Sequence, residues 1–111
     1  MTVRQMVAEI QHELLQGDVE PQRGRLLLVK LTALIGNVNN EIREADAAYA
    51  DVLLRFLDSN EAASRAKIRA ETSPEYQRKR EAHDTHELIT EMSRSLKYLL
   101  RSVEAEMELS R

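Results

Sequence analysis

The sequence contains no cysteine or tryptophan, only one phenylalanine, two prolines and three glycines, and no long apolar run. The absence of cysteine excludes disulfides and thiolate metal sites, and it leaves the redox compartment open. No run approaches the ~18 apolar residues of a membrane span, so we expect no membrane partner. The N-terminus lacks the apolar core of a signal peptide, which favours a cytoplasmic protein. A composition rich in Ala, Leu, Glu and Arg is typical of long helices.

An apolar residue recurs at every third or fourth position through the middle of the chain, and only Ser59 interrupts the series. This apolar seam consists of Leu28, Leu31, Ile35, Val38, Ile42, Ala45, Tyr49, Val52, Phe56, Ala63, Ala66 and Ala70. Such a period is typical of a helix that packs lengthwise against other helices. We therefore predict an all-α fold, an elongated and coiled-coil-like antiparallel helical hairpin in one domain.

Capping signals place a short helix before the seam, over residues 2–16. Thr2 and Gln5 have the spacing of a capping box, in which each side chain bonds the other residue's backbone N–H. Gly17 can adopt the left-handed conformation that ends a helix.

A long helix is predicted from 21 to 71, because Pro21 is favoured at a first helical position and the seam keeps its phase. The weakest point is 36–40, where Gly36 and several asparagines are poor helix formers and a break is possible. A turn at 72–73, before Pro74, then folds a third helix over 74–110 back along the second. This register puts Glu81 opposite about residue 64.

Leucines outside the seam exceed what one hairpin and a short helix can cover. Leaving several in water forfeits about 1.5–3 kcal/mol each. We therefore expect a homo-oligomer, the alternative being a compact four-helix bundle after a break at Gly36. The predicted oligomer interface consists of Leu27, Leu34, Leu53, Leu54, Leu57 and Leu100.

No catalytic, cofactor or metal site is predicted. The three histidines offer too few ligands for zinc or a di-iron centre. The acidic pairs Glu41–Glu44 and Glu81–Asp84 are similar to those of all-α magnesium-dependent nucleotide hydrolases. The predicted register separates the pairs by about 30 Å along the helix axis, too far to share one cation. This hydrolase stays as the enzymatic alternative.

Positive charge is concentrated in residues 65–80, which contain six basic and two acidic residues, whereas the whole chain has a net charge of −3. Folding at 72–73 would gather these cations at a basic hairpin tip, and such patches bind phosphate backbones with little sequence selectivity. An aromatic ring there could stack on an exposed base. The candidate nucleic-acid-binding residues are Arg65, Lys67, Arg69, Arg78, Lys79 and Arg80, with Tyr76 as the stacking ring.

The segments EAASRAKIRAET and EMSRSLKYLLRSVEAEM, within roughly residues 40–105, resemble small bacteriophage proteins of the recombination-mediator type. Members of that class are oligomeric helical hairpins that help load a strand-exchange protein on single-stranded DNA. The resemblance implies a non-enzymatic recombination accessory protein that contacts DNA through Arg65, Lys67 and Arg69. This chain departs from the class in its added first helix and acidic balance. A structural or assembly protein that binds only protein partners is the alternative.

Overall fold

The fold is all-α in a computed structural model that describes residues 1–110. Over these residues there are four helices and no strand: α1 (Val3–Leu15), α2 (Pro21–Asp58), α3 (Ala63–Glu71) and α4 (Pro74–Leu109). The predicted all-α helical hairpin with a short N-terminal helix is confirmed. None of the helices in the described part of the chain has the length and apolarity needed to cross a membrane.

Helix α1 begins and ends at the signals read from the sequence. The Thr2 hydroxyl accepts a hydrogen bond from the Gln5 backbone N–H at 3.1 Å, and the Gln5 side chain accepts one from the Thr2 N–H at 2.9 Å. Gly17 follows with φ of +78°, a conformation that glycine adopts without steric cost. Local chemistry alone therefore determines both ends of this helix.

Helix α2 passes through Gly36 without interruption and ends at Asp58. The helix is uninterrupted at 36–40, as the phase of the seam indicated, and the alternative of a break at Gly36 is wrong. The predicted end at residue 71 is also wrong, because α2 ends at Asp58 and α3 is a separate helix. Buried Leu34 and Val38 flank Gly36, and their packing outweighs its poor helix propensity. The helix stops where Ser59 interrupts the seam and Asn60 takes a φ of +62°, which asparagine tolerates better than most residues.

The chain reverses at residues 59–62, and not at the predicted corner beside Pro74. In the part from Val38 to Asp84, the Arg69 guanidinium lies 4.6 Å from the centre of the Phe56 ring. The rings of Tyr49 and Tyr76 lie 5.3 Å apart. The midpoint in sequence of each pair falls at 62–63, so α3 and α4 both return along α2.

Ser73 and Pro74 therefore start a helix without reversing the chain. The Ser73 hydroxyl accepts a hydrogen bond from the Tyr76 N–H at 3.2 Å, as expected of a helix cap. The predicted register is wrong as a result. Glu81 lies between Arg78, which pairs with Glu44, and His83, which pairs with Asp46, and not opposite residue 64.

The helices divide into two compact units, one from Val38 to Asp84 and one formed by Met1–Asn37 with the chain from Thr85 onward. In the latter, the apolar stripe of α1 packs with α2 and α4. Its buried core consists of Val3, Val7, Ile10, Leu27, Leu31, Leu34, Ile89, Met92, Leu96 and Leu100.

The buried core corrects half of the predicted oligomer interface. Leu27, Leu34 and Leu100 are buried within the chain itself, so they cannot form an external face. They are covered because the core of this unit comes from three helices, and the buried stripe of α2 is correspondingly wide. Leu54 and Leu57 remain exposed and Leu53 half-exposed, so for these three residues the interface stays a prediction.

Candidate functional site

A surface cleft of about 670 Å³ lies in the unit from Val38 to Asp84. This volume is in the range of small-molecule binding sites. Three helices supply its walls, so it exists only because α3 folds back beside α2. The lining residues are Tyr49, Leu53, Leu57, Ala63, Lys67, Glu71, Tyr76, Lys79, Arg80, His83 and Asp84.

The α2 wall of the cleft is apolar. Tyr49, Leu53 and Leu57 are spaced four residues apart, which places them on one face of the helix. The α3 wall has the same spacing, with Lys67 between Ala63 and Glu71. The α2 wall therefore offers apolar surface to a ligand, and the α3 wall places the cation of Lys67 beside it.

The α4 wall supplies most of the polar groups. Lys79 Nζ lies 4.5 Å from the centre of the Tyr49 ring, a cation–π contact. The centre of the Tyr76 ring lies 5.3 Å from that of the Tyr49 ring, and the two rings are tilted by 47° to each other. A cation and two aromatic rings are thus held together at one end of the cleft.

The chemistry around Tyr49 keeps its phenol neutral. Burial raises the pKa of Tyr49, and the negative charge of Glu71 and the neighbouring Tyr76 raise it further. The neutral phenol can donate a hydrogen bond as well as accept one. The ring therefore offers an uncharged face and a donor to whatever occupies the cleft.

Positive charge exceeds negative charge in the cleft lining. The lining contains the three cations Lys67, Lys79 and Arg80 and the two carboxylates Glu71 and Asp84. His83 Nε2 lies 3.0 Å from Asp46 Oδ1, a contact between α4 and α2. The cleft suits a ligand that combines an apolar or aromatic group with negative charge.

The fold brings together four of the seven predicted nucleic-acid-binding residues: Lys67, Tyr76, Lys79 and Arg80 all line the cleft. Arg65, although exposed, is not among the lining residues.

Two further cations are engaged in contacts within the unit. Arg69 pairs with Glu61 and lies over Phe56, and Arg78 pairs with Glu44 at 3.3 Å. The expectation of a basic hairpin tip is wrong, because the chain reverses at 59–62 and the cations lie along the returning helices.

Tyr49 and His83 line the cleft but are not among the predicted nucleic-acid-binding residues. The seam position of Tyr49 predicts a residue of the hydrophobic core, yet Tyr49 is only half-buried. A signal was present, since tyrosine on a core face must place its hydroxyl against a polar partner or solvent. For His83 the sequence gives no indication, because its pairing with Asp46 depends on the register of α2 and α4.

The acidic pairs suggested by the hydrolase alternative are divided among other contacts. Glu44 pairs with Arg78, and Asp84 lies in the cleft. No group of three or more histidines, aspartates or glutamates in residues 1–110 is arranged to hold a metal ion.

Comparisons of the chain with protein-family models, with curated proteins and with solved structures find no match.

Proposed function

We propose that the cleft binds single-stranded nucleic acid, and that the protein is a non-enzymatic accessory factor. The observation that carries this proposal is the convergence of Lys67, Lys79 and Arg80 on a cleft that also contains Tyr76. Strand-binding proteins combine the same two elements, a cationic path for the backbone and aromatic rings on which bases stack.

In this proposal the cleft residues contact different parts of the ligand. The three cations contact phosphate oxygens, and the half-buried Tyr76 ring stacks on a base. The apolar wall of Leu53 and Leu57 excludes water behind the base. None of these contacts reads a base edge, so binding has little sequence preference. A duplex, whose bases are already stacked and paired, cannot use the aromatic contact.

The sequence resemblance to phage recombination mediators supports this proposal. The residues to which we assign strand contact differ in part from those that the resemblance implies. Of the residues that it implied, only Lys67 lines the cleft, since Arg69 is engaged with Glu61 and Phe56. We therefore assign strand contact to Lys67 together with Lys79 and Arg80, which follow Pro74.

Fluorescence anisotropy of a labelled oligothymidylate tests the proposal. We expect log K to fall with log salt at a slope of about −2, as three phosphate contacts on a single strand require. Replacing Lys67 and Lys79 by glutamine should weaken binding and flatten that slope. Tyr76→Ala should cost about 1–3 kcal/mol of binding energy with the slope unchanged.

The matched control is Lys30→Gln with Lys97→Gln, which removes two exposed lysines from the other unit. Equal affinity for this control and the cleft variant would contradict the proposal, because binding would then follow net charge alone. Absence of binding at low salt would contradict it outright.

A second candidate function, assembly with protein partners only, is favoured by one observation. Leu54 is 55% and Leu57 37% exposed on the α2 surface of this unit, and Ile68 on α3 is 64% exposed. Leu54 and Leu57 are three residues apart on α2 and therefore neighbours on its surface, and clustered exposed apolar side chains are typical of protein interfaces. A protein that fails to bind any oligonucleotide but self-associates through these residues would fit this candidate.

A further inference from the structure

The end of α4 combines acidic and apolar side chains that the fold leaves exposed. No residue from Arg101 to Ser110 is buried, although α4 continues to Leu109. Met107 is 61% and Leu109 88% exposed. We call residues 103–109 the C-terminal segment.

The C-terminal segment carries more negative charge than its contacts neutralise. Glu104 pairs with Arg25 at 3.3 Å, whereas Glu106 and Glu108 form no ion pair within the described residues. Helical turns that bury nothing gain little from packing, and short helices in water are marginal. An apolar surface edged with cations would stabilise both the charge and the helix.

The cleft of the Val38–Asp84 unit has the complementary chemistry. Its wall of Leu53 and Leu57 is apolar, and the groups around it include Lys67, Lys79 and Arg80. We propose that the C-terminal segment of a second copy of this chain docks in the cleft. Met107 and Leu109 then cover the apolar wall, and Glu106 and Glu108 pair with the cleft lysines and arginine.

A chain cannot fill its own cleft in this way. The α4 residues of the cleft, from Tyr76 to Asp84, belong to the first turns of a 36-residue helix, and the C-terminal segment forms its last turns. Bringing the two ends of α4 together would require that helix to break. The occupant must therefore come from another molecule.

The contact joins two different surfaces, so it is heterologous. Each copy contributes one cleft and one segment, and successive copies add until a ring closes or an open chain grows. The inference concerns the cleft that we assign to nucleic acid, but it does not depend on nucleic-acid binding.

Sedimentation velocity of three proteins tests this docking. We expect the wild type to form assemblies that grow with concentration. Two variants should remain monomeric: the cleft variant Lys67→Glu with Lys79→Glu, and the segment variant Glu106→Lys with Glu108→Lys. Lys67, Glu106 and Glu108 are exposed and Lys79 is half-buried, and circular dichroism checks that helicity is retained.

Mixing the two variants provides the decisive measurement. One variant keeps an intact segment and the other an intact cleft, and the two charge-reversed surfaces are again complementary to each other, so the mixture should assemble although neither variant does so alone. Glu9→Lys with Glu87→Lys is the control, since it makes the same charge change at exposed positions outside the segment and should assemble like the wild type.

Three results would overturn the inference: a wild type that is monomeric at high micromolar concentration, variants that assemble like the wild type, or a mixture that remains monomeric. The last would indicate that the two surfaces do not meet each other. Oligonucleotide binding by the segment variant is measured separately, so failure of the docking and failure of the nucleic-acid proposal give different results.

Discussion

Replacing Gly36 by alanine should stabilise the protein, because Gly36 is the weakest point of the long helix in terms of helix propensity. Gly36 lies inside α2, and a Cβ atom built on it meets no atom within 4 Å. Alanine exceeds glycine in helix propensity by about 0.8–1.0 kcal/mol, and nothing in the surroundings opposes the added methyl group. We therefore expect the free energy of unfolding to rise by about 1 kcal/mol and the Tm by about 4 °C.

The same substitution at Gly17 should have the opposite effect. Its Cβ would also meet nothing within 4 Å, but its φ is +78°. A side chain in this left-handed conformation costs about 1–2 kcal/mol, so Gly17→Ala should lower the stability by roughly that amount. The two variants make one chemical change in equally open surroundings, and only the backbone conformation distinguishes them.

Urea and thermal unfolding followed by far-ultraviolet circular dichroism measure both effects, with an unchanged m value as evidence that each variant unfolds like the wild type. If Gly36→Ala leaves the stability unchanged or lowers it, α2 is not a continuous helix at this position. If Gly17→Ala raises the stability, the left-handed end of α1 is wrong.

Two further predictions concern the core and an ion pair. Leu27→Ala should cost about 2–5 kcal/mol, since Leu27 is buried, whereas Leu54→Ala at an exposed position should stay within about 0.5 kcal/mol; equal losses would contradict the assignment of Leu27 to the core. The hydrogen bonds from Arg23 at 2.7 Å lower the pKa of Glu13, so Glu13→Gln should reduce stability at neutral pH. The stability that this carboxylate adds is present above its unfolded-state pKa and disappears as pH falls through its folded pKa, so wild type and variant should converge in acid. A difference that persists at the lowest pH would mean that the ion pair is not the cause.

Helix starts and ends were predictable wherever one or two neighbouring residues determine them. Thr2 with Gln5, Gly17 and Pro74 all act as the sequence indicated. Each acts through hydrogen bonds or backbone angles within a few residues, and such effects can be read without knowing the rest of the fold.

The direction of the chain after each helix end was not predictable in the same way. A serine before Pro74 caps a new helix whether the chain turns back or continues, because proline restricts only the local backbone. The reversal at 59–62 has a weaker local signal, the polar run Asp58-Ser59-Asn60. The contact of Arg69 with Phe56 shows that the chain reverses at 59–62 and not at 72–73. This contact depends on the packing of α3 against α2.

The apolar pattern alone also could not determine which of two adjacent α2 positions is buried in each turn. The predicted seam contained Leu28 and Ile35, but the buried residues at this level are Leu27 and Leu34, with Leu28 and Ile35 half-buried. Apolar residues occupy adjacent positions there, Leu27 beside Leu28 and Leu34 beside Ile35, so the apolar pattern fits either phase. The packing of α1 and α4 on the same helix selects one of them.

The position of the reversal determines which cations meet, and for that reason it governs both proposals. With the chain turning at 59–62, Lys67 on α3 and Lys79 on α4 line one cleft, although a helix boundary separates them in sequence. The same amines cannot bind phosphates and the carboxylates of a second copy at once, so nucleic acid and self-association must exclude each other if both occur. Tyr76 distinguishes nucleic-acid binding from self-association, because stacking on a base needs its ring and an ion pair between two copies does not. Glu106 and Glu108 also distinguish the two kinds of binding. Docking of a second copy requires these carboxylates, whereas they would repel the phosphates of a nucleic-acid strand.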